Sequence, residues 1–330
     1  MKLSIVILCW NDLAVIGNCL RSICFGTRST EFEIVVSDNG STDGSVEFIR
    51  KMYPSVRILE NGRNLRFSKG NNVAISVCAG EFILILNPDT IVEDGALDKW
   101  VQFADQHPEA GAFGCRVLNA DGTYQGCARP FPTVWREWVA ALYLRPLGYF
   151  SDFLATDKYL KWKGDTERLI DWQAGCALLV RGDLLRRLGG FDEQFHYYYE
   201  DVDLCHRIWK DGWPIIYTPE VRITHLVGQS TKMYRIAFEL DHYRNRYRYF
   251  YKYFGSGGVR RCRRALRTRL LLRQVGYRFA NLIKPSDALR RKIDLYRIAA
   301  EWNKSVDPVL LVETNKEPKI GQEAAFQVPQ

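Results

Sequence analysis

In the first hundred residues, short apolar runs alternate with segments of helical spacing, and that alternation leaves few folds open. LSIVILC (3–9), FEIVVSD (32–38), VRILEN (56–61) and EFILILN (81–87) read as strands, the first as a continuous apolar run of the kind covered on both faces. DLAVIGNCLRSI (12–23), GSVEFIRKMY (44–53) and KGNNVAISVC (69–78) read as helices, with Asn11 or Asp12 expected to cap the first. Short connections between such elements imply right-handed crossovers and a parallel sheet covered by helices. At 330 residues and 47% hydrophobic content the chain can build one large domain or two modest ones.

Beyond residue 94 the pattern loosens. A helix is expected over about 95–106 and a turn at Asp121-Gly122. Residues 131–163 are aromatic and poorly periodic, as in a subregion inserted over the sheet. WQAGCALLV (172–180) reads as one strand, WPIIYTP and VRITH as two short ones, and the chain from Lys232 to about Trp302 as mainly helical. Residues 306–330 read as a disordered tail. Nine scattered cysteines, without zinc spacing, read as reduced thiols of a cytosolic protein. No apolar run reaches the roughly 18 residues that span a bilayer. KLSIVILCWND is too short for a signal peptide and is expected to be the first strand.

Open parallel sheets bind ligands at the carboxyl ends of their strands. Asp38 leaves the second strand into small, turn-forming residues, where it could accept from a ribose or a base, or simply begin a turn. Gly-x-Gly-x-x-Gly is missing after the first strand, which argues against a dinucleotide site. NGRNLRFSKGNN (61–72) concentrates donors at a helix start, suiting phosphate or a solvated basic loop. Asn87-Pro88-Asp89 ends a buried strand, either as a plain turn or to aim a carboxylate at Mg²⁺ or Mn²⁺. In YYYEDVDLCHRI (197–208), Glu200 and Asp203 share a helical face, Asp203 can pair with Arg207, and Asp201 points elsewhere. His225 ends a strand in THLVGQS, as a ligand or a structural residue.

In order, SIVILCWND, VVSDNGSTDGS, N-x-x-F-x-x-G-N-N (64–72), LNPDT, GGFDEQFHYYYEDVDLCHR and HLVGQS resemble the motifs of family 2 glycosyltransferases with the GT-A fold. The resemblance runs from residue 4 to about 230 and is nearest to rhamnosyltransferase-like enzymes of bacterial surface polysaccharide assembly. It implies an α/β catalytic domain over 1–230 with a mainly parallel central sheet flanked by helices. A C-terminal helical extension over 231–305 and the tail would follow. It implies inverting, metal-dependent transfer of a sugar, with L-rhamnose from dTDP-rhamnose as the first choice, to a saccharide or lipid-linked saccharide acceptor. Asp201 would be the catalytic base. Asp89 and His225 would hold Mg²⁺ or Mn²⁺. Asp38, Asn39, Arg66, Lys69, Asn72, Asn87, Trp172 and Glu200 would bind substrate. Asn87 stands where the family often has a second Asp, and Arg66 where it often has Gly. The alternatives are another donor (UDP-hexose or UDP-N-acetylhexosamine) and a non-catalytic membrane or nucleic-acid adaptor.

The net charge is +8, yet no Asp or Glu occurs from His242 to Ser286, where Arg recurs among Tyr and Phe. Three readings suit such a stretch: an anionic membrane surface, a nucleic acid, or a packed helical subdomain with a solvated basic face. The first is preferred over nucleic acid, placing the chain peripherally on the inner face of the plasma membrane. The helices could equally pair chains in a homo-oligomer.

Overall fold

A computed structural model describes residues 1–154, 159–226 and 235–315, the side chains of 152 and 235–238 aside. Residues 227–230 of THLVGQS and 316–330 of the expected tail lie outside the described residues. The described chain divides into two compact units, 1–131 with 161–226, and 132–154 with 159–160 and 235–315. Residues 132–154 and 159–160, expected within the sheet-bearing domain, thus group with the C-terminal helices.

The first unit begins β1 (Leu3–Cys9), α1 (Leu13–Gly26), β2 (Phe32–Asp38), α2 (Ser45–Met52), β3 (Arg57–Glu60), α3 (Arg66–Ile75) and β4 (Phe82–Leu86), close to the expected elements. It continues with β5 (Thr90–Val92), α4 (Ala96–Gln106), β6 (Ala112–Leu118) and β7 (Ala128–Arg129). After α5 (Val134–Ala141), which lies in the second unit, come β8 (Arg168–Leu169), β9 (Trp172–Gln173), β10 (Ala177–Arg181), α6 (Gly182–Arg187), α7 (Glu200–Lys210) and β11 (Ile215–His225).

The sheet runs β3-β2-β1-β4-β10-β6-β11-β5, with β8 also on β11. β1 is parallel to β2 and β4, and β11 to β6, while β10 runs antiparallel between β4 and β6. The sheet is therefore mixed and mainly parallel. All five residues of β4 are buried, as an apolar run covered on both faces requires.

Three departures from expectation matter for the site. WQAGCALLV is two strands, β9 and β10, separated by Ala174-Gly175-Cys176. WPIIYTP and VRITH lie in one strand, β11, with an irregularity between Thr218 and Arg222, where Pro219 offers no N–H to the ladder. Residues 90–92, following the turn after β4, form the edge strand β5 antiparallel to β11.

The second unit comprises α5, α8 (Arg235–Ile283), α9 (Asp287–Ser305) and α10 (Pro308–Thr314). Helix α8 is broken at Gly255, whose φ of 65° and ψ of −170° are accessible almost only to glycine. Tyr247 stacks on Trp302 of α9 at 5.9 Å, its hydroxyl bonded to Asn303. Arg246 pairs with Glu137 of α5 at 3.2 Å. Arg244, Arg246 and Arg248 are all buried, so the beginning of the basic stretch is interior rather than a charged surface. Residues 308–314, expected in the tail, are helical because Asp307 caps them, accepting from Val309 and Leu310.

Helix α3 passes close over β1 and β2, and Gly70 permits it. A Cβ there would lie 2.4 Å from Leu8 Cδ1 and 3.0 Å from Asn39 Oδ1. Gly70→Ala is expected to destabilise the chain by about 1–3 kcal/mol, read from the urea midpoint. An unchanged midpoint would contradict this packing.

Candidate active site

Because β1, β2 and β4 are parallel, their carboxyl ends open on one edge, and carboxylates gather there. Asp12, three residues past β1, is buried, and its carboxyl is pushed up to about 7. Burial is the main cause, the Trp10 N–H opposes it, and the negative charges of Asp89, Asp43 and Asp38 add to it. Asp12 stands at the expected N-cap position of α1, but its side chain caps no helical N–H. Its carboxylate accepts from Trp10 N at 2.8 Å, while Leu13 N, the first of α1, donates to Asp43 at 2.9 Å. Asn11, at φ 56°, accepts from Thr42 N.

Asp38 accepts from Gly40 N at 2.9 Å and Ser41 N at 3.0 Å and so shapes the loop after β2. Asn39, expected to touch substrate, is 2% exposed and committed internally. It donates to Asn64 Oδ1 and Arg66 O and accepts from Asn61, tying two loops together. Asn72 likewise clamps a neighbouring segment. Its Nδ2 donates to Phe191 O at 2.9 Å and its Oδ1 accepts from Phe191 N at 2.8 Å. Lys69 is exposed on α3 and takes part in none of these contacts.

Arg66 keeps a positive φ of 70°, the conformation a glycine adopts without strain. Asn64 Oδ1 accepts its N–H at 2.9 Å, and its guanidinium lies 5.6 Å from the ring centroid of Tyr197. Arg66 Nη1 is buried with no hydrogen-bond partner among the described residues. A cation so placed suits an anionic ligand.

Asp89 and His225 meet because β5 pairs antiparallel with β11. Thr90 is the register partner of His225, and Leu226 N donates to Asp89 O at 2.9 Å. His225 Nε2 lies 3.1 Å from Asp89 Oδ1 and 3.3 Å from Asn87 Nδ2. Its Nδ1 lies 2.9 Å from Gln125 Oε1, and Gln125 Nε2 donates to Asn119. With Gln125 oriented this way, Nδ1 carries the proton and Nε2 presents a lone pair to Asp89. Asn87 Nδ2 is then placed to donate to Nε2, with Asp89 Oδ1 beside that contact. Among the described residues no group of three or more His, Cys, Asp and Glu could hold a metal alone. Asp89 and His225 still suit an ion that completes its shell with substrate phosphate and water.

Glu200 and Asp201 open α7. The two residues before them, Tyr198 and Tyr199, sit at φ 67° and 70°, a strain of about 1–3 kcal/mol each. Asp201 accepts from Gly175 N at 3.1 Å and Val202 N at 2.8 Å. Burial raises its carboxyl, with those N–H groups and Arg129 opposing. Glu200 is 7% exposed, and its Oε2 has no hydrogen-bond partner among the described residues. Burial, then the charge of Asp201, hold it well above the ordinary carboxylate range. Asp203 pairs with Arg207 at 2.8 Å, which also donates to Leu188 O and Gly190 O, anchoring the helix. Trp172 donates its indole N–H to Pro130 O, and Arg129 covers its ring at 5.5 Å.

The segment between β9 and β10 joins the two halves. Gly175 N holds Asp201, and the next residue, Cys176, accepts Asn87 N at 3.0 Å. The structure thus brings together Asn87, Asp89 and His225 with Asp12 and Asp38, and Glu200 and Asp201 with Arg129 and Trp172. Sequence reasoning passed over Asp12, whose place past a strand end was the available signal, and Gln125, which carries none.

A mainly parallel sheet with an acidic edge is the GT-A arrangement. The chain superimposes with a TM-score of 0.53 on a mannosyltransferase from Pyrobaculum calidifontis solved with GDP-Man and Mn²⁺, at 17% identity over 92% of this chain and 88% of that one. TarS 1-349 of S. aureus in complex with UDP gives 0.51, at 16% identity over 92% and 91%. Residues 4–148 match the profile of glycosyl transferase family 2. The chain is 32% identical over 209 residues to the N-acetylglucosaminyl-diphospho-decaprenol L-rhamnosyltransferase of Mycobacterium tuberculosis, covering 60% of this chain and 67% of the relative. It is 25% identical over 191 residues to the rhamnosyltransferase WbbL of Escherichia coli, covering 56% and 69%. The chain belongs to glycosyl transferase family 2 and is a rhamnosyltransferase-like glycosyltransferase.

Two outcomes follow from this geometry. Asp89→Ala and His225→Ala are expected to weaken Mn²⁺ binding at least tenfold in the presence of a nucleoside diphosphate, measured by calorimetry; unchanged affinity would remove the metal assignment. Glu200 has its carboxyl raised in the folded state, so its share of stability is full below about 4.5 and is lost as pH rises. Glu200→Gln should flatten that decline in melting temperature above pH 4.5, and an identical slope would show that Glu200 is not the buried acid described.

Proposed function

We propose that the chain transfers L-rhamnose from dTDP-L-rhamnose, with inversion, to a lipid-linked saccharide in bacterial cell-surface polysaccharide synthesis. The observation that carries this reading is the Gly175-Cys176 link between Asp201 and the Asn87, Asp89 and His225 cluster. It is one rigid segment between a base and a charge-stabilising centre. The names of the two rhamnosyltransferases support the sugar, and the diphospho-decaprenol of one supports the acceptor class.

Asp201 is the base. It takes the acceptor hydroxyl's proton as that oxygen attacks the anomeric carbon, and its raised carboxyl is nearer the pH at which a base works best. Glu200, neutral beside it, leaves one negative charge in the pair. A single displacement inverts the anomeric centre, and the bond to the nucleoside diphosphate breaks as the new one forms. Arg66 and the N-terminus of α3 hold the diphosphate, and Asp38 orients the loop against the nucleoside. Asp89 and His225 would hold Mg²⁺ or Mn²⁺, with Asn87 hydrogen-bonding beside them; such an ion would supply positive charge against the departing diphosphate. Trp172, with one face covered by Arg129, would offer an edge to the sugars. The enzyme works peripherally at the inner face of the plasma membrane, where such acceptors are held.

A panel of dTDP-rhamnose, UDP-hexoses and UDP-N-acetylhexosamines, with and without Mn²⁺, tests the donor by thermal shift and turnover. A preference for a UDP-sugar would replace rhamnose, and no response to any donor would favour an adaptor. Asp201→Asn is expected to lower turnover by about 10²–10⁴-fold while donor affinity is kept. Turnover near wild type would exclude Asp201 as the base.

A further inference from the structure

The second unit carries an exposed apolar face that the core of that unit does not use. On the C-terminal part of α8, Leu271, Leu272, Val275, Phe279, Leu282 and Ile283 are each between 43% and 80% exposed. At 100° per residue they fall within an arc of about 120°. The other side of the same helix is occupied. Tyr277 stacks on Tyr296 of α9 at 5.5 Å, Gln274 donates to Tyr296 O, and Arg273 donates to the Tyr296 hydroxyl. Tyr143 interacts with Arg273 on that occupied side of α8, so the turn after α5 lies away from the apolar arc. That turn exposes Leu147, Tyr149, Phe150 and Phe153, with Phe150 at 87%. Two segments far apart in sequence therefore leave large apolar side chains uncovered in one unit.

Along α8 the exposed charges beside this face are of one sign, although Asp287, which opens α9, is exposed near the C-terminal end of α8. Arg264, Arg267 and Arg278 are exposed on α8, and no carboxylate occurs from 242 to 286. Two copies meeting through such a face would oppose arginine with arginine. Among the described residues no helix is long and apolar enough to cross a membrane. An apolar stripe bordered by cations suits a helix lying in the headgroup region of an anionic bilayer.

We infer that the Leu271–Ile283 face of α8 is the surface by which this chain docks on an anionic lipid bilayer. The membrane-facing part of the basic region is thus the end after residue 270, while the stretch around Arg244 to Arg248 is core. This inference narrows the peripheral placement proposed above and is independent of the donor reading.

The full chain tests it by flotation with vesicles of phosphatidylcholine alone or mixed with phosphatidylglycerol, at low and high salt. Wild type is expected to float with the anionic vesicles, less so in high salt. Val275→Ser combined with Phe279→Ser and Leu282→Ser should weaken binding at least tenfold, with an unchanged melting temperature because these positions are exposed. Arg264→Gln combined with Arg267→Gln and Arg278→Gln should abolish the preference for anionic lipid. Nucleotide-induced thermal shifts should be the same in all three proteins, so a failed donor assay and a failed flotation are separable. The inference falls if wild type does not float at low salt, or if the apolar variant floats like wild type. It also falls if that variant turns a dimer into a monomer by light scattering, since a second copy would then cover the face.

Discussion

The pairing of Thr90 with His225 is the contact on which the candidate metal centre depends. It spans only three register pairs, so its stability comes from what surrounds it. Thr90 is buried and bonds back to Asn87 O at 2.8 Å, and Val92 N donates to Ser22 of α1 at 3.0 Å. Those bonds close the turn around Asn87-Pro88-Asp89 and aim its side chains at the ring of His225. Gln125 then selects which ring nitrogen faces Asp89. Each of these groups would be an ordinary polar residue if β5 did not turn back onto the sheet.

The acidic start of α7 is held against a gradient. Two left-handed tyrosines and a buried carboxyl oxygen of Glu200 with no partner among the described residues destabilise it locally, and neighbouring contacts offset this. Arg207 locks Asp203 to the carbonyls of Leu188 and Gly190, and Asn72 clamps Phe191. Residues of one motif therefore divide between those that strain the backbone around Asp201 and those that hold it there. Strain concentrated at such a place is a feature of functional sites.

In the second unit, burial sorts one run of similar composition into two roles. Before Gly255, arginines and tyrosines are interior, with Arg246 paired to Glu137 and Tyr247 stacked on Trp302. After Leu270, leucine and phenylalanine face outward beside arginines. Composition treats the two halves alike, because it does not register which side of a helix has a neighbour.

Much was legible in the sequence. The alternation of apolar runs with helical segments determined strands β1 to β4 with their helices; β1 and β4 are continuously apolar because they are covered on both faces, while β3 lies at the sheet edge. The order of motifs pointed to Asp38, Asp89, Asp201 and His225, because each ends a strand or starts a helix at the binding edge. What the tertiary structure alone decided is which polar groups are spoken for. Asn39 and Asn72 tie segments together through their side chains, and Asp12, at the N-cap position of α1, is a buried acid whose side chain caps no helical N–H. The physical reason is that a side chain's role follows from its hydrogen-bond partners and its burial. Those are set by contacts between residues as distant as Asn87 and His225, which no local pattern encodes.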